Sequence, residues 1–436
     1  MKKLAIFTGV AAFAFTAASA QQVAEAPTPP PLGTQTDDGG RNPAVTYLMQ
    51  VYKLSETEAA ERIALQDEVG KLAERLNNSD DPTFSDIEIQ HEPTFKIIVS
   101  FADKSDRKAF LQSVDPKIRR YVQIKQVKRS KSARKGEMRR LEESLNGGKR
   151  VDVRAGEAPF VVTYDNDEEI FTVYVPTNAM QEELAARVPS NIKSEVRFVA
   201  GALPRPSQSG PEGVQPGDWA TAGYTIYPAK DPNSLRCTIG FSVRYGLAKK
   251  PAVLTSAHCN LPQHLYYNNH WITLKSPLFK RWDSSHDFQI LDIGSMNTAS
   301  WVYAWEAENI PEFTNPEWFE VTGMNSYASQ TEGTVVCKSG AKTGITCGQI
   351  VDADYPYGGT YGQPWIKVSK TYQSDISQPG DSGGAWFVYP GSSQRVRAVG
   401  VHTAGPEGDA GFNSVAIYMP IDRVFKAATA ELITSP

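Results

Sequence analysis

From Pro204 to Gly213 the chain reads Pro-Arg-Pro-Ser-Gln-Ser-Gly-Pro-Glu-Gly, without one large apolar side chain, and the hydrophobic pattern differs in kind on its two sides. Such a stretch buries too little surface to order itself, so it reads as a boundary and an exposed cleavage site. Before it, helical periodicity alternates with single strands. After it come short β-branched and aromatic runs separated by turns. A chain of 436 residues is also too long for one ordinary core. The boundary therefore divides it into an α+β part at 43–203, a linker at 204–217 and an all-β part at 218–436.

The first part carries helical periodicity from near Thr46 to about Leu76, with Ser55 and Glu58 spaced as a capping box. Two later stretches resemble each other. One has a strand at 95–101, an amphipathic helix at 105–114 and a strand at 121–124; the other has a strand at 170–175, a helix at 179–188 and a strand at 195–199. Their helix exits match, Val114-Asp115-Pro116-Lys117-Ile118 against Val188-Pro189-Ser190-Asn191-Ile192, which points to a duplicated β-α-β unit. Between the copies, the basic stretch from Lys125 to Arg140 reads as a solvated helix face and connector, with an acidic or phosphate partner as the alternative.

The second part shows strands near 238–243, 252–255, 271–274, 333–337, 365–368, 385–388 and 397–402, followed by an amphipathic helix at 421–432. That spacing argues for an all-β barrel or sandwich. At the other end, Lys2 and Lys3, the apolar run from Leu4 to about Thr16 and Ala18-Ser19-Ala20 describe a signal peptide over 1–20, and the Pro-rich 21–42 is expected to be disordered. The expectation is a secreted or periplasmic protein without a membrane anchor, and a monomer. Net charge is −4, which argues against a general nucleic-acid role.

Export permits disulfides. All four cysteines, Cys237, Cys259, Cys337 and Cys347, lie in the β part; three pairings are open, and joining neighbours is the simplest. Zinc is the weaker reading, since no C-x-x-C pair or matching histidines occur.

Within Gly380-Asp381-Ser382-Gly383-Gly384 a serine stands among small residues, where a nucleophile can be exposed and backbone N–H groups can converge on an oxyanion. The G-x-S-x-G pattern alone also fits α/β-hydrolases, whose partners follow in the order Ser, acid, His. Downstream of Ser382 the only histidine is His402, too close to leave room for the rest of such a fold. Upstream, His258 ends an apolar strand in Thr255-Ser256-Ala257-His258-Cys259, whereas His264 and His270 lie in a polar loop and His91 in the first half. For the orienting acid, Asp287 opens an apolar strand that would bury its carboxylate; Asp283 and Asp292 compete. The candidate set is His258, Asp287 and Ser382.

These residues resemble a family. Thr255–Cys259 and Gly380–Gly384 look like the two signatures of chymotrypsin-like serine proteases, and Cys237-Thr238-Ile239-Gly240-Phe241-Ser242-Val243 with Val336-Cys337-Lys338-Ser339-Gly340 is similar to the bacterial α-lytic protease and streptogrisin branch. The resemblance covers about 220–430. It implies two Greek-key β-barrels with the site between them, disulfides Cys237–Cys259 and Cys337–Cys347, and an oxyanion hole from the N–H groups of Gly380 and Ser382. It further implies that Asp381 organises the active-site loop, that polypeptides are the substrates, and that no cofactor or metal takes part. The α+β part resembles in size and position a pro-region that assists folding and then inhibits in cis. A third disulfide of some members is missing: Ile376 lies in the stretch before the nucleophile, and no cysteine follows Cys347.

In Val399–Gly405, His402, Thr403 and Gly405 should wall the S1 pocket, and His402 with Ser377 resembles the glutamyl endopeptidases, where such donors hold an acidic P1 side chain. On that reading Glu212 in the linker is a self-processing point. The alternatives are a broad or small-apolar P1 preference with His402 merely packed in its strand, an esterase of small esters, or a protease-like binding module without activity.

Overall fold

The computed structural model describes residues 42–150, 153–201, 203, 219–231, 236–259, 262–267, 270–274, 276–304, 317–369, 375–391, 395–405 and 415–435. The expected signal peptide, the Pro-rich segment up to residue 41 and the linker with Glu212 lie outside the described residues.

The N-terminal periodicity resolves into two helices rather than one, Pro43–Tyr52 and Glu56–Asn77, because Lys53 takes a left-handed φ of 55° between them. Ser55 caps the second as expected, its Oγ accepting the Glu58 N–H at 3.3 Å. Each repeat is a three-stranded sheet, one strand larger than the sequence suggested. Phe84–Gln90 runs antiparallel to Lys96–Phe101, which is parallel to Val122–Gln126. Val161–Asp165, Ile170–Val175 and Val196–Ala200 repeat that order. The two parallel partners are joined through helices, Lys108–Ser113 with Pro116–Arg119 and Asn178–Ala185, as a parallel pair requires. In the added strands every residue is buried or half-buried, so they belong to the core of each repeat.

The solvated-face expectation for the basic stretch holds at Lys128, Arg139 and Arg140, which are exposed, and fails on the opposite face. It becomes the helix Lys131–Leu145, with Arg134 buried, and Lys131, Arg134 and Lys135 all lie within ion-pair distance of Asp354, at 3.1, 3.6 and 2.9 Å. The acidic partner comes from the same chain.

The C-terminal part is built of β-strands. Six of them close a barrel in the order Arg395–Ala404, Ala385–Val388, Val335–Gly340, Gly344–Tyr355, Trp365–Ser369 and Ala416–Pro420, the last pairing back onto the first. Three successive strands with the fourth returning beside the first make a Greek key. The preceding stretch forms a five-stranded sheet, Pro277–Trp282, Asp287–Asp292, Lys250–Thr255, Ser242–Tyr245 and Ala430–Leu432, which is not closed among the described residues. The expected terminal helix is short, Asp422–Ala427; the chain then joins this sheet as a strand, because Leu432 pairs with Val243.

Both disulfides join neighbours, Cys237–Cys259 and Cys337–Cys347. The second lies across a hairpin whose register puts the two residues opposite each other. Among the described residues no helix is long and apolar enough to cross a membrane. The helix Pro43–Tyr52 is buried through Leu48, and Tyr47 and Leu48 share a core with Val335, Tyr355 and Trp365 of the barrel.

Candidate active site

The strand Lys250–Thr255 pairs antiparallel with Asp287–Asp292 so that Thr255 faces Gln289. His258, three residues past one end, therefore meets Asp287, two residues before Gln289, at the same edge. Ser382 arrives from the other sheet, on the turn that leads into Ala385–Val388. The three side chains meet between the two sheets: Nδ1 of His258 lies 2.7 Å from Oδ2 of Asp287, and Nε2 lies 2.8 Å from Oγ of Ser382. The backbone N–H of His258 donates to Oδ1 of Asp287 at 2.9 Å, so both carboxylate oxygens are engaged on the same residue. Asp287 is fully buried. An acceptor carboxylate on Nδ1 leaves Nε2 as the lone pair facing the hydroxyl, which is the arrangement that can take a proton from Ser382.

The competing residues are occupied elsewhere. Asp283 accepts from His286 at 2.8 Å and from Arg281 at 2.7 Å, and Asp292 accepts from Lys250 at 2.6 Å. His91 meets the Gly333 carbonyl at 3.0 Å and His264 meets Thr273 at 3.0 Å.

Two supports escaped the sequence reading. Gln289, fully buried, donates from Nε2 to the carbonyls of Ser256 and Cys259 at 2.9 and 3.0 Å, clasping the His258 turn from the neighbouring strand. Lys338 was legible only as part of a motif. It lies buried beneath the loop of Ser382 with Nζ 2.8 Å from Oδ2 of Asp381. Thr343 Oγ1 and the backbone N–H groups of Lys342, Thr343 and Gln378 complete five donors to Asp381. Burial alone would raise its carboxyl, but Lys338 and these donors hold it down, to about 2. The pair thus fixes the loop on which Ser382 stands.

Glycine is required there. At Gly383, with φ of +92°, a Cβ would lie 2.2 Å from Thr255 Oγ1 and 2.3 Å from the Thr238 carbonyl oxygen. The packing that excludes a side chain is what seats the loop against the His258 strand. Gly380 also has positive φ, +113°, and the turn is closed by the Asp381 N–H on the Gln378 carbonyl at 3.1 Å.

On the specificity side the expected residues come together in part. Ser377 and Gly405 abut, since a Cβ on Gly405 would lie 2.5 Å from Ser377 Oγ. That hydroxyl donates to the Val415 carbonyl at 3.2 Å. The Thr403 hydroxyl is buried without a partner among the described residues. His402 is buried; its carbonyl accepts from Ser256 Oγ and from the Gly383 N–H, while its Nδ1 accepts from the Trp386 indole at 3.2 Å.

The N-terminal part reaches the rim of this cleft. The Ala155 N–H donates to the Asp283 carbonyl and the Gly156 N–H to the Tyr357 carbonyl, each at 3.2 Å. Arg154 covers the Trp282 ring at 5.1 Å, and Trp282 leans on the His258 ring with centroids 6.3 Å apart.

No protein-family model matches the chain, and no curated protein is similar to it. Solved structures similar to it include a Nocardiopsis protease, 19% identical with a TM-score of 0.36, and Thermobifida fusca protease A, 23% identical with a TM-score of 0.34; each match covers 50% of this chain and 100% of the other. A glutamic acid specific serine protease, described as using a histidine triad in substrate binding, is 20% identical with a TM-score of 0.34 over 49% of this chain and 100% of its own.

Proposed function

We propose that the chain is a secreted serine endopeptidase made as a zymogen. The observation that carries the reading is the continuous hydrogen-bonded line from Asp287 through His258 to Ser382, at 2.7 and 2.8 Å. Ser382 Oγ attacks the scissile carbonyl as its proton passes to Nε2 of His258. The imidazolium, stabilised by Asp287, returns that proton to the leaving amine, and water then releases the acyl group by the same route. The N–H groups of Gly380 and Ser382 would receive the oxyanion, a contribution of roughly 3–4 kcal/mol for each such donor.

The α+β part serves as the pro-region, helping the β part to fold and then restraining it. Its buried first helix in the barrel core and its contacts through Arg154, Ala155 and Gly156 at the cleft rim support this reading. Separation would follow cleavage in 204–217. For P1, His402 favours a side chain bearing a hydrogen-bond acceptor at its end, Glu among them.

A serine-directed phosphonate should label the protein, and Ser382→Ala should abolish the label. A protein that hydrolyses peptides while Ser382 stays unlabelled would sink the mechanism. Peptides varied at P1 test the pocket: Phe, Ala or Arg preferred over Glu would remove the acidic reading.

A further inference from the structure

The partner of His402 constrains its chemistry. Trp386 belongs to the strand Ala385–Val388 and is fully buried, with its indole N–H directed at Nδ1 of His402 at 3.2 Å. A second ring against the indole is Tyr418, stacked at 5.1 Å between centroids, and the Tyr418 hydroxyl donates to Gln330 Oε1 at 2.5 Å. The indole is thereby held in place.

An indole N–H only donates, so Nδ1 of His402 must present its lone pair. A neutral imidazole has one N–H, which then sits on Nε2. Protonating the ring would set one N–H against another inside a closed core. Nε2 itself has no partner among the described residues, which leaves its N–H as the ring's donor to a substrate group.

We propose that Trp386 is a specificity-positioning residue that locks His402 as the neutral Nε2–H tautomer, so the pocket reads a P1 side chain through an uncharged donor. The inference rests on the assignment of His402 to the S1 wall. It predicts a class of substrate: side chains carrying an acceptor at glutamyl length, Glu and Gln, with little selection for negative charge.

The charges around the ring agree with this. Lys338 from the strand Val335–Gly340 and Asp381 from the loop of Ser382 face it, joined to each other at 2.8 Å. His258 faces it from the other sheet and Tyr418 from Ala416–Pro420. Burial holds the imidazolium of His402 down, to about 3; Lys338 and His258 push the same way and Asp381 opposes.

Nitrogen spectra of the full chain carrying Ser382→Ala, with 15N-labelled histidine, test the tautomer directly. One ring, absent in a further His402→Gln variant, should remain Nε2–H from pH 8 to about 5. An imidazolium or an Nδ1–H form of that ring in this window overturns the proposal. The second arm uses active enzyme recovered from the full chain and takes the kcat/KM ratio for Glu against Gln peptides, in which pH effects common to both peptides cancel. The ratio should stay flat from about pH 5.5 to 8.5, where the substrate carboxylate is always ionised. A rise of about tenfold toward low pH would mean a charged donor and overturns it. Trp386→Phe removes the N–H and should let the Nδ1–H form of that ring appear in the nitrogen spectra; a ring that stays wholly Nε2–H in this variant overturns the role of Trp386. If neither peptide is cut while others are, the substrate class is overturned. If no peptide is cut, the protease reading fails, and the spectra still decide the tautomer.

Discussion

Under the loop of Ser382, Asp381 meets one cation and four further donors and lies far from its neutral form. Across the seam between the two parts, Asp86, Glu332, Asp352 and Asp354 crowd against Lys131, Arg134 and Lys135. There the match is uneven. Asp354 takes the three cations and the Tyr327 hydroxyl, which hold its carboxyl well below the usual range in spite of burial. Burial pushes the others up: Asp86 despite Arg134 and Lys131, Glu332 further through Asp86 and Asp352, and Asp352 to about 7. Both regions bury charge, but only the cleft matches each charge with donors. A matched pair gives one rigid arrangement; an unmatched cluster gives a pH-dependent one.

The largest effect should separate the regions outright. Ser382→Ala is expected to lower peptide hydrolysis about 10⁶-fold while leaving the seam untouched. Residual activity above about 1% of the parent would mean that another group carries the chemistry. Next comes the matched pair. Lys338→Ala leaves Asp381 buried without its cation and should cost about 3–5 kcal/mol in urea unfolding. A loss below about 1 kcal/mol would show that the backbone donors alone suffice.

The pH responses should oppose each other. The folded value of His402 is depressed to about 3, so its contribution to stability is full above its ordinary value near 6.5 and is lost as pH falls toward 3. Asp352 is raised to about 7, so its contribution is full below its ordinary value of about 4 and is lost as pH climbs through 7. Hydrogen exchange in Phe84–Gln90 and Lys131–Leu145, corrected for the intrinsic rate, should therefore be slower at pH 5 than at pH 8. Asp352→Asn should reduce that difference by the equivalent of about 1–3 kcal/mol, discounted because the side chain keeps some solvent contact. An unchanged difference would assign the pH response to Asp86 and Glu332 instead.

The same contrast explains what could be read from the sequence. His258, Asp287 and Ser382 were legible because strand ends, chain order and glycine-flanked turns are local signals. The pairing of the cysteines was legible because neighbours in sequence closed short loops. Lys338, Gln289 and Trp386 were not, since each acts through a partner 43, 33 or 16 residues away whose approach is set by sheet register. The buried face of the basic stretch was misread for the same reason: its counter-charges lie on a barrel strand more than 200 positions later. The last helix was overextended because Leu432 completes a sheet rather than a helical face.

The smallest effect falls where the two regions touch. Arg154 belongs to the α+β part, yet its guanidinium lies over Trp282, the ring beside His258. Its exposed position limits the contact to about 0.5–1 kcal/mol. Arg154→Ala should therefore raise the basal activity of the uncut chain only about two- to fivefold, and leave the separated β part unchanged. Arg154→Lys, which retains a cation, should fall between. If the uncut chain gains activity by orders of magnitude instead, the restraint on the cleft acts through Arg154 itself. If it gains nothing, restraint comes from the buried helix and the charged seam, and the cleft rim is only a neighbour.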